Sequence, residues 1–176
     1  MSENILIVVD MQNDFISGNL GSEEAEKIVE TVIKKVKNFQ GRVIFTKDTH
    51  YDNYLDTQEG KNLPIVHCIK NTKGWEIADG LKELIEEKRA EVFEKSSFGS
   101  EALIKRLREI DEKEKIESIT LIGICTDICV VSNALAIRTF LPEVPVKADS
   151  SCCAGVTKEK HEAALETMRS CQIEVI

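Results

Sequence analysis

Apolar and polar positions alternate along this chain between two periods. Residues 4–9, "NILIVV" before Asp10, form an unbroken apolar run rich in β-branched side chains, the pattern of a strand buried on both faces. "RVIFTK" at 42–47, "AEVFEK" at 90–95, "SITLIGI" at 118–124, "PVKADS" at 145–150 and "IEVI" at 173–176 read as five more strands. Between them the period lengthens. Ile28, Val32, Val36 and Phe39 recur at helical spacing after Ser22, a capping residue. Helices are also expected over 75–87, over 99–111 with Ser100 as cap, over 127–140, and over 157–170 opening at Thr157. "NDFISGNLGS" reads as a turn-like loop. The stretch from Asp48 to about Thr72 is polar and aperiodic, and a loop that long in a compact domain is functional or disordered.

Strands alternating with helices predict a single α/β domain over 1–176 with a mainly parallel six-stranded sheet between helical layers. The length suits one domain. The net charge of −8 argues against nucleic acid and anionic membranes as partners, and no apolar run is long enough to span a bilayer. The first strand has no basic segment before it and does not read as a secretory signal, so a cytoplasmic chain with its six cysteines reduced is expected.

In an open parallel sheet, ligands bind outside the carboxyl ends of the strands. Here those ends carry chemistry: Asp10 after the first strand, Asp48-Thr49-His50 after the second, Lys95 at the third, Cys125 and Cys129 after the fourth. A thiol on a helix's first turn meets the positive end of the macrodipole and unpaired N–H groups, which favour thiolate and can hold an oxyanion. On position alone, though, a packed helix cysteine is the commoner reading of Cys129, a turn cap that of Asp10, and a solvated lysine that of Lys95. Two of the chain's three histidines, His50 and His67, share the long loop with Asp48, a donor set that suits Zn²⁺, Fe²⁺ or Mn²⁺. Two loop histidines bound to backbone would look the same. Asp127 and Thr126 read as N-cap and first-turn residues, Cys152 and Cys153 as packing, Asp149 as structural, and His161 as exposed.

Together, "ILIVVDMQNDF", "FTKDTHY…LPIVHC", "FEKSSFGS", "LIGICTDICVVSNALAIRTF" and "ADSSCCAGVTKEKHEAAL" resemble the isochorismatase-like cysteine hydrolases, and within them the nicotinamidases, in the family's order and over nearly the whole chain. The resemblance implies a Rossmann-like strand order, with Cys129 as nucleophile, Asp10 as general acid/base and Lys95 completing the triad. It implies a divalent metal, Zn²⁺ before Fe²⁺ or Mn²⁺, on Asp48, His50 and His67. Glu59 is a further candidate ligand and Asp56 a weaker one. It implies a cis peptide at Ile124–Cys125 that aims the N–H groups of Cys125 and Cys129 at the oxyanion, Phe15 and Phe98 as pocket walls, and a homo-oligomer. The expected reaction is hydrolysis of nicotinamide through a thioester. Leu63-Pro64-Ile65-Val66 departs from the family, many of whose members carry an aromatic residue there, and this leaves another small amide or a carbamoyl compound as an alternative. Isochorismatase-type chemistry would leave Cys129 and the histidines idle, as would a non-catalytic binding module.

Overall fold

The computed structural model describes residues 3–176. Its centre is β1 (Glu3–Val9), whose side chains divide between two cores as the pleat requires. Ile5, Ile7 and Val9 face one cluster, Leu6 and Val8 the other. This two-sided burial is the reason the run is unbroken rather than alternating. Around β1 lie β2 (Arg42–Asp48), β3 (Glu91–Lys95), β4 (Ile116–Ile124), β5 (Val146–Ala154) and β6 (Glu174–Val175), in the order β3-β2-β1-β4-β5-β6 with every pair parallel. The order reverses direction between β1 and β4, which opens a crevice at their carboxyl ends.

The helices form the outer layers. α1 (Asn13–Ile16), a short helix where the pattern predicts a turn, leads into α2 (Glu23–Asn38), which buries Ala25, Val32 and Val36 on one face of the sheet. α5 (Glu101–Glu114), α6 (Val131–Phe140) and α7 (Lys158–Ser170) cover the other. The expected caps are in place. Ser22 accepts from the N–H of Ala25 at 3.1 Å, Ser100 from Leu103 at 3.2 Å and Thr157 from Lys160 at 3.2 Å.

Three expected elements differ. The helix over 75–87 is confined to α4 (Lys82–Glu87). The backbone of 75–78 is bonded instead to the β1–α1 connection: the carbonyl of Glu76 accepts from Asn13, and the N–H of Ala78 donates to Met11. Gly80, at φ +84°, then turns the chain. The helix over 127–140 opens with a π turn, Thr126–Val130, before α6. β5 runs four residues further than its apolar pattern suggested, so Cys152 and Cys153 lie within the strand and pack in opposite cores.

The long polar loop is ordered by its own contacts. It holds a 3₁₀ turn, Tyr54–Asp56, and α3 (Gln58–Asn62), and His50 pairs in a bridge with Ile69.

Candidate active site

Each sheet-edge residue owes its place to the chain around it. Asp10 turns at φ +46° as β1 ends. Gln12, fully buried, clamps the next strand: its Oε1 accepts from the Asp48 N–H at 2.7 Å, and its Nε2 donates to the carbonyls of Asp48 at 2.8 Å and Trp75 at 2.9 Å. In the sequence Gln12 stands out only as part of the "DMQNDF" motif. The signal for its role was an amide two residues beyond a strand-end acid. Gly123, at φ +118°, is the penultimate residue of β4, and a Cβ there would stand 2.1 Å from the Val9 carbonyl oxygen. The peptide that follows, Ile124–Cys125, is cis, and the carbonyl of Cys125 accepts from the N–H groups of both Ile128 and Val130 at 3.1 Å.

These supports bring Asp10, Lys95 and Cys129 together. The Lys95 ammonium lies 2.6 Å from Asp10 Oδ2, 3.5 Å from Cys129 Sγ and 3.5 Å from Asp48 Oδ1, and donates to the Ser97 carbonyl at 3.0 Å. Thr46 donates to Asp10 Oδ1 at 2.7 Å. Asp10 Oδ2 has the Lys95 ammonium as its close partner and no other polar group bonded to it among the described residues. The Cys129 sulfur and the Asp10 carboxylate share the Lys95 ammonium between them.

Burial dominates the electrostatics. It raises the Asp10 carboxyl, with Lys95 opposing and Asp48 reinforcing the rise. It pushes the Cys129 thiol well up, as does the Asp10 charge, against the pull of Lys95. Both influences favour the protonated thiol, against the thiolate that a helix N-terminus alone favours. Burial would lower Lys95, but Asp10, Cys129 and Asp48 outweigh it and keep the amine charged. The Cys125 thiol is pushed up to about 12, first by burial and then by Asp127.

Beside this group lies a four-donor cluster of Asp48, His50, Glu59 and His67, with ligand atoms all within 4.8 Å of one another. His50 Nε2 is 3.0 Å from Asp48 Oδ2 and 3.6 Å from Glu59 Oε1, while His67 Nε2 is 3.5 and 3.7 Å from the same two oxygens. Two donors ~2.1 Å from one tetrahedral ion stand ~3.4 Å apart, so the set fits a zinc-sized cation. The Nδ1 of His67 lies 2.8 Å from the Ile65 carbonyl; donation there leaves Nε2 free to ligate. Burial would raise Asp48, but His50, His67 and Lys95 reverse it and hold the carboxyl well below the usual range. Glu59 is raised, by burial and then by Asp48. Asp56 is exposed and stands outside the cluster.

Both groups open on one cavity of about 300 Å³, which Phe15, Leu20, Leu63, Phe98, Ile128 and Val156 also line. Phe15 is buried with its ring 5.5 Å from that of His67, whereas Phe98 is 45% exposed at the mouth. Cys129 is thus shielded from bulk water yet faces the cavity. Asp127 does not cap its helix; its carboxylate accepts from the Val156 N–H at 2.9 Å. Asp149 pairs with Lys35 at 2.8 Å, away from the site, in keeping with a structural role. His161 is half-buried rather than exposed and bonds Thr126.

The fold is a doubly wound α/β sheet with this constellation at its switch point. Within that class, the chain belongs to the isochorismatase domain family, matched over residues 4–176. A nicotinamidase of Schizosaccharomyces pombe is 29% identical over 97% of this chain and 91% of its own length. The crystal structure of a Pyrococcus horikoshii pyrazinamidase in complex with zinc superposes with TM-score 0.80, 27% identity and coverage of 99% of this chain and 98% of its own. A nicotinamidase/pyrazinamidase of Bacillus subtilis superposes with TM-score 0.84, 28% identity and 98% coverage of both chains.

Proposed function

We propose that this protein hydrolyses nicotinamide to nicotinate and ammonia, with Cys129 as nucleophile. The observation that carries the reading is the convergence of Cys129, Asp10 and Lys95 beside a four-donor cluster on one ring-sized cavity. The named activities of the relatives support it.

Asp10 takes the thiol proton as sulfur attacks the carboxamide carbon. The backbone N–H groups of Cys125 and Cys129 stabilise the oxyanion, at about 2.7–4 kcal/mol per donor. Asp10 returns the proton to the departing nitrogen, which leaves as ammonia. A water molecule, deprotonated by Asp10, then cleaves the thioester, releasing nicotinate and restoring the thiol. Lys95 keeps two buried carboxylates compatible and draws charge toward the sulfur. Asp48, His50, His67 and Glu59 would hold a divalent cation, Zn²⁺ in our reading, which supplies a Lewis-acid anchor for the ring nitrogen. Phe15 and Phe98 wall the ring. A reducing cytoplasm suits the six free cysteines, and the exposed Phe140 on α6 gives the expected self-association a surface.

A second reading rests on the cavity wall. Leu20, Leu63, Ile128 and Val156 are aliphatic, which loosens ring selection toward another small amide or a carbamoyl compound.

The test is ammonia release from nicotinamide, pyrazinamide and a panel of small amides, with wild-type and Cys129→Ala protein, before and after chelation. We expect turnover of ring amides, loss in the variant without loss of fold, and loss on chelation restored by zinc. Unchanged ammonia release by Cys129→Ala would remove the nucleophile assignment, and preference for an acyclic amide would favour the second reading.

A further inference from the structure

The turn that carries Cys129 is held by side chains as well as by its own backbone. In the π turn, the N–H groups of Ile128 and Val130 share one acceptor, the Cys125 carbonyl. The first N–H groups of any helix lack intrahelical partners, so the orientation of such a turn depends on outside contacts. On one side Asn133 supplies them. Its Nδ2 donates to the Cys129 carbonyl at 2.8 Å and the Phe98 carbonyl at 3.1 Å, while its Oδ1 accepts from the Ser100 N–H at 3.0 Å.

On the other side stands the start of α7. His161 Nδ1 lies 2.8 Å from the hydroxyl of Thr126, a residue with no exposed surface three positions before Cys129. One residue on, the Asp127 carboxylate takes the N–H of Val156 at 2.9 Å. Gly155 allows this approach, because a Cβ there would meet Asp127 Oδ1, His161 N and His161 Cβ, each at 2.9 Å. Gly155, Val156 and Lys160 themselves line the cavity, so the segment that grips the turn is also a wall of the site.

We propose that His161 is a positioning residue: through its hydrogen bond to Thr126 it sets the orientation of the turn that carries the Cys129 sulfur. The inference rests on Cys129 being the nucleophile. It does not need His161 to touch substrate, and no atom of His161 lines the cavity. Sulfur and oxyanion donors share this one short turn, and misplacement on the ångström scale costs orders of magnitude in rate, so a slackened turn shows in turnover before it shows in binding.

The experiment compares His161→Phe, His161→Asn, Thr126→Val and the His161→Phe/Thr126→Val double variant. Three quantities are read: kcat and KM for nicotinamide, the rate of Cys129 alkylation by iodoacetamide resolved by peptide mass spectrometry, and the melting temperature. His161→Phe and Thr126→Val are each expected to lower kcat about tenfold with KM within about twofold, and the double variant to be no slower than the worse single, because both remove one contact. His161→Asn places an amide atom where Nδ1 stood and is expected to hold kcat within about twofold of wild type. Costs that multiply in the double variant, or an Asn variant as slow as the Phe one, would overturn the proposal. Should the wild-type protein release no ammonia from nicotinamide, the functional reading falls. The alkylation rates then decide the positioning claim by the same criteria, and equal rates in all variants reject it. The His161→Phe and His161→Asn pair keeps the test decisive if Thr126→Val does not fold.

Discussion

Replacing Lys95 by Met tests the electrostatic frame of the site. The Lys95 side chain is almost wholly buried, within 2.6 Å of Asp10 and 3.5 Å of Asp48, and both carboxylates are themselves buried. Met keeps the length and removes the charge. Breaking a buried pair from one side leaves an uncompensated charge and costs about 3–5 kcal/mol. For a chain of this size each kcal/mol moves the melting temperature by about 2–4 °C, so a fall of roughly 6–20 °C is expected. Two controls isolate the cause. The Asp10→Asn/Lys95→Met double variant has no stranded carboxylate at position 10 and is expected to recover more than half of the loss. The pH dependence has a fixed sign. Asp10 is raised from 3.8 by burial even with Lys95 present, and loses its main counter-charge in the variant. A carboxyl raised on folding binds more protons folded than unfolded, so stability falls as pH rises from about 4 through the folded value. Lys95→Met should therefore lie closest to wild type in acid and fall behind as the pH climbs. Differential scanning calorimetry from about pH 4 to pH 8 reads both effects. A Lys95→Met protein melting within about 2 °C of wild type, or a double variant whose loss is the sum of the singles, would refute the account.

Two further variants test the supports of the site. Gly123→Ala forces a side chain into φ +118° with its Cβ 2.1 Å from the Val9 oxygen. Backbone strain of about 1–3 kcal/mol and overpacking of similar size are expected together, visible as a circular dichroism melt lowered by several degrees; an unchanged melt would mean that β1 and β4 do not approach as described. Asp149 is held below its ordinary value: burial raises it, but Lys35 and Ser151 more than reverse this. A depressed carboxyl stabilises above its unfolded pKa and loses that contribution as pH falls through the folded one. The stability gap between wild type and Asp149→Asn should thus be constant at neutral pH and close below about pH 4, and a gap that widens in acid would contradict it.

The layers, and the edge on which the chemistry lies, follow from the apolar pattern of the chain alone. Six apolar strand runs separated by helical periods leave few ways to bury both sheet faces, and a residue that ends a parallel strand must lie on the carboxyl edge. Asp10, Asp48, Lys95 and Cys129 were legible for that reason, and Ser22, Ser100 and Thr157 because capping is local. What depends on partners far along the chain was decided only by tertiary structure. Residues 75–78 have helical spacing but bond to the β1–α1 connection, and propensity yields to such a contact. The helix position of Cys129 favours thiolate, whereas burial and the Asp10 charge, which come from distant parts of the chain, push the thiol up. Glu59 joins His50 and His67, and Asp56 does not, because α3 turns one carboxylate inward. His161 reads as a surface residue among charged neighbours, and meets Thr126 only because Gly155 lets α7 close on the turn that carries Cys129.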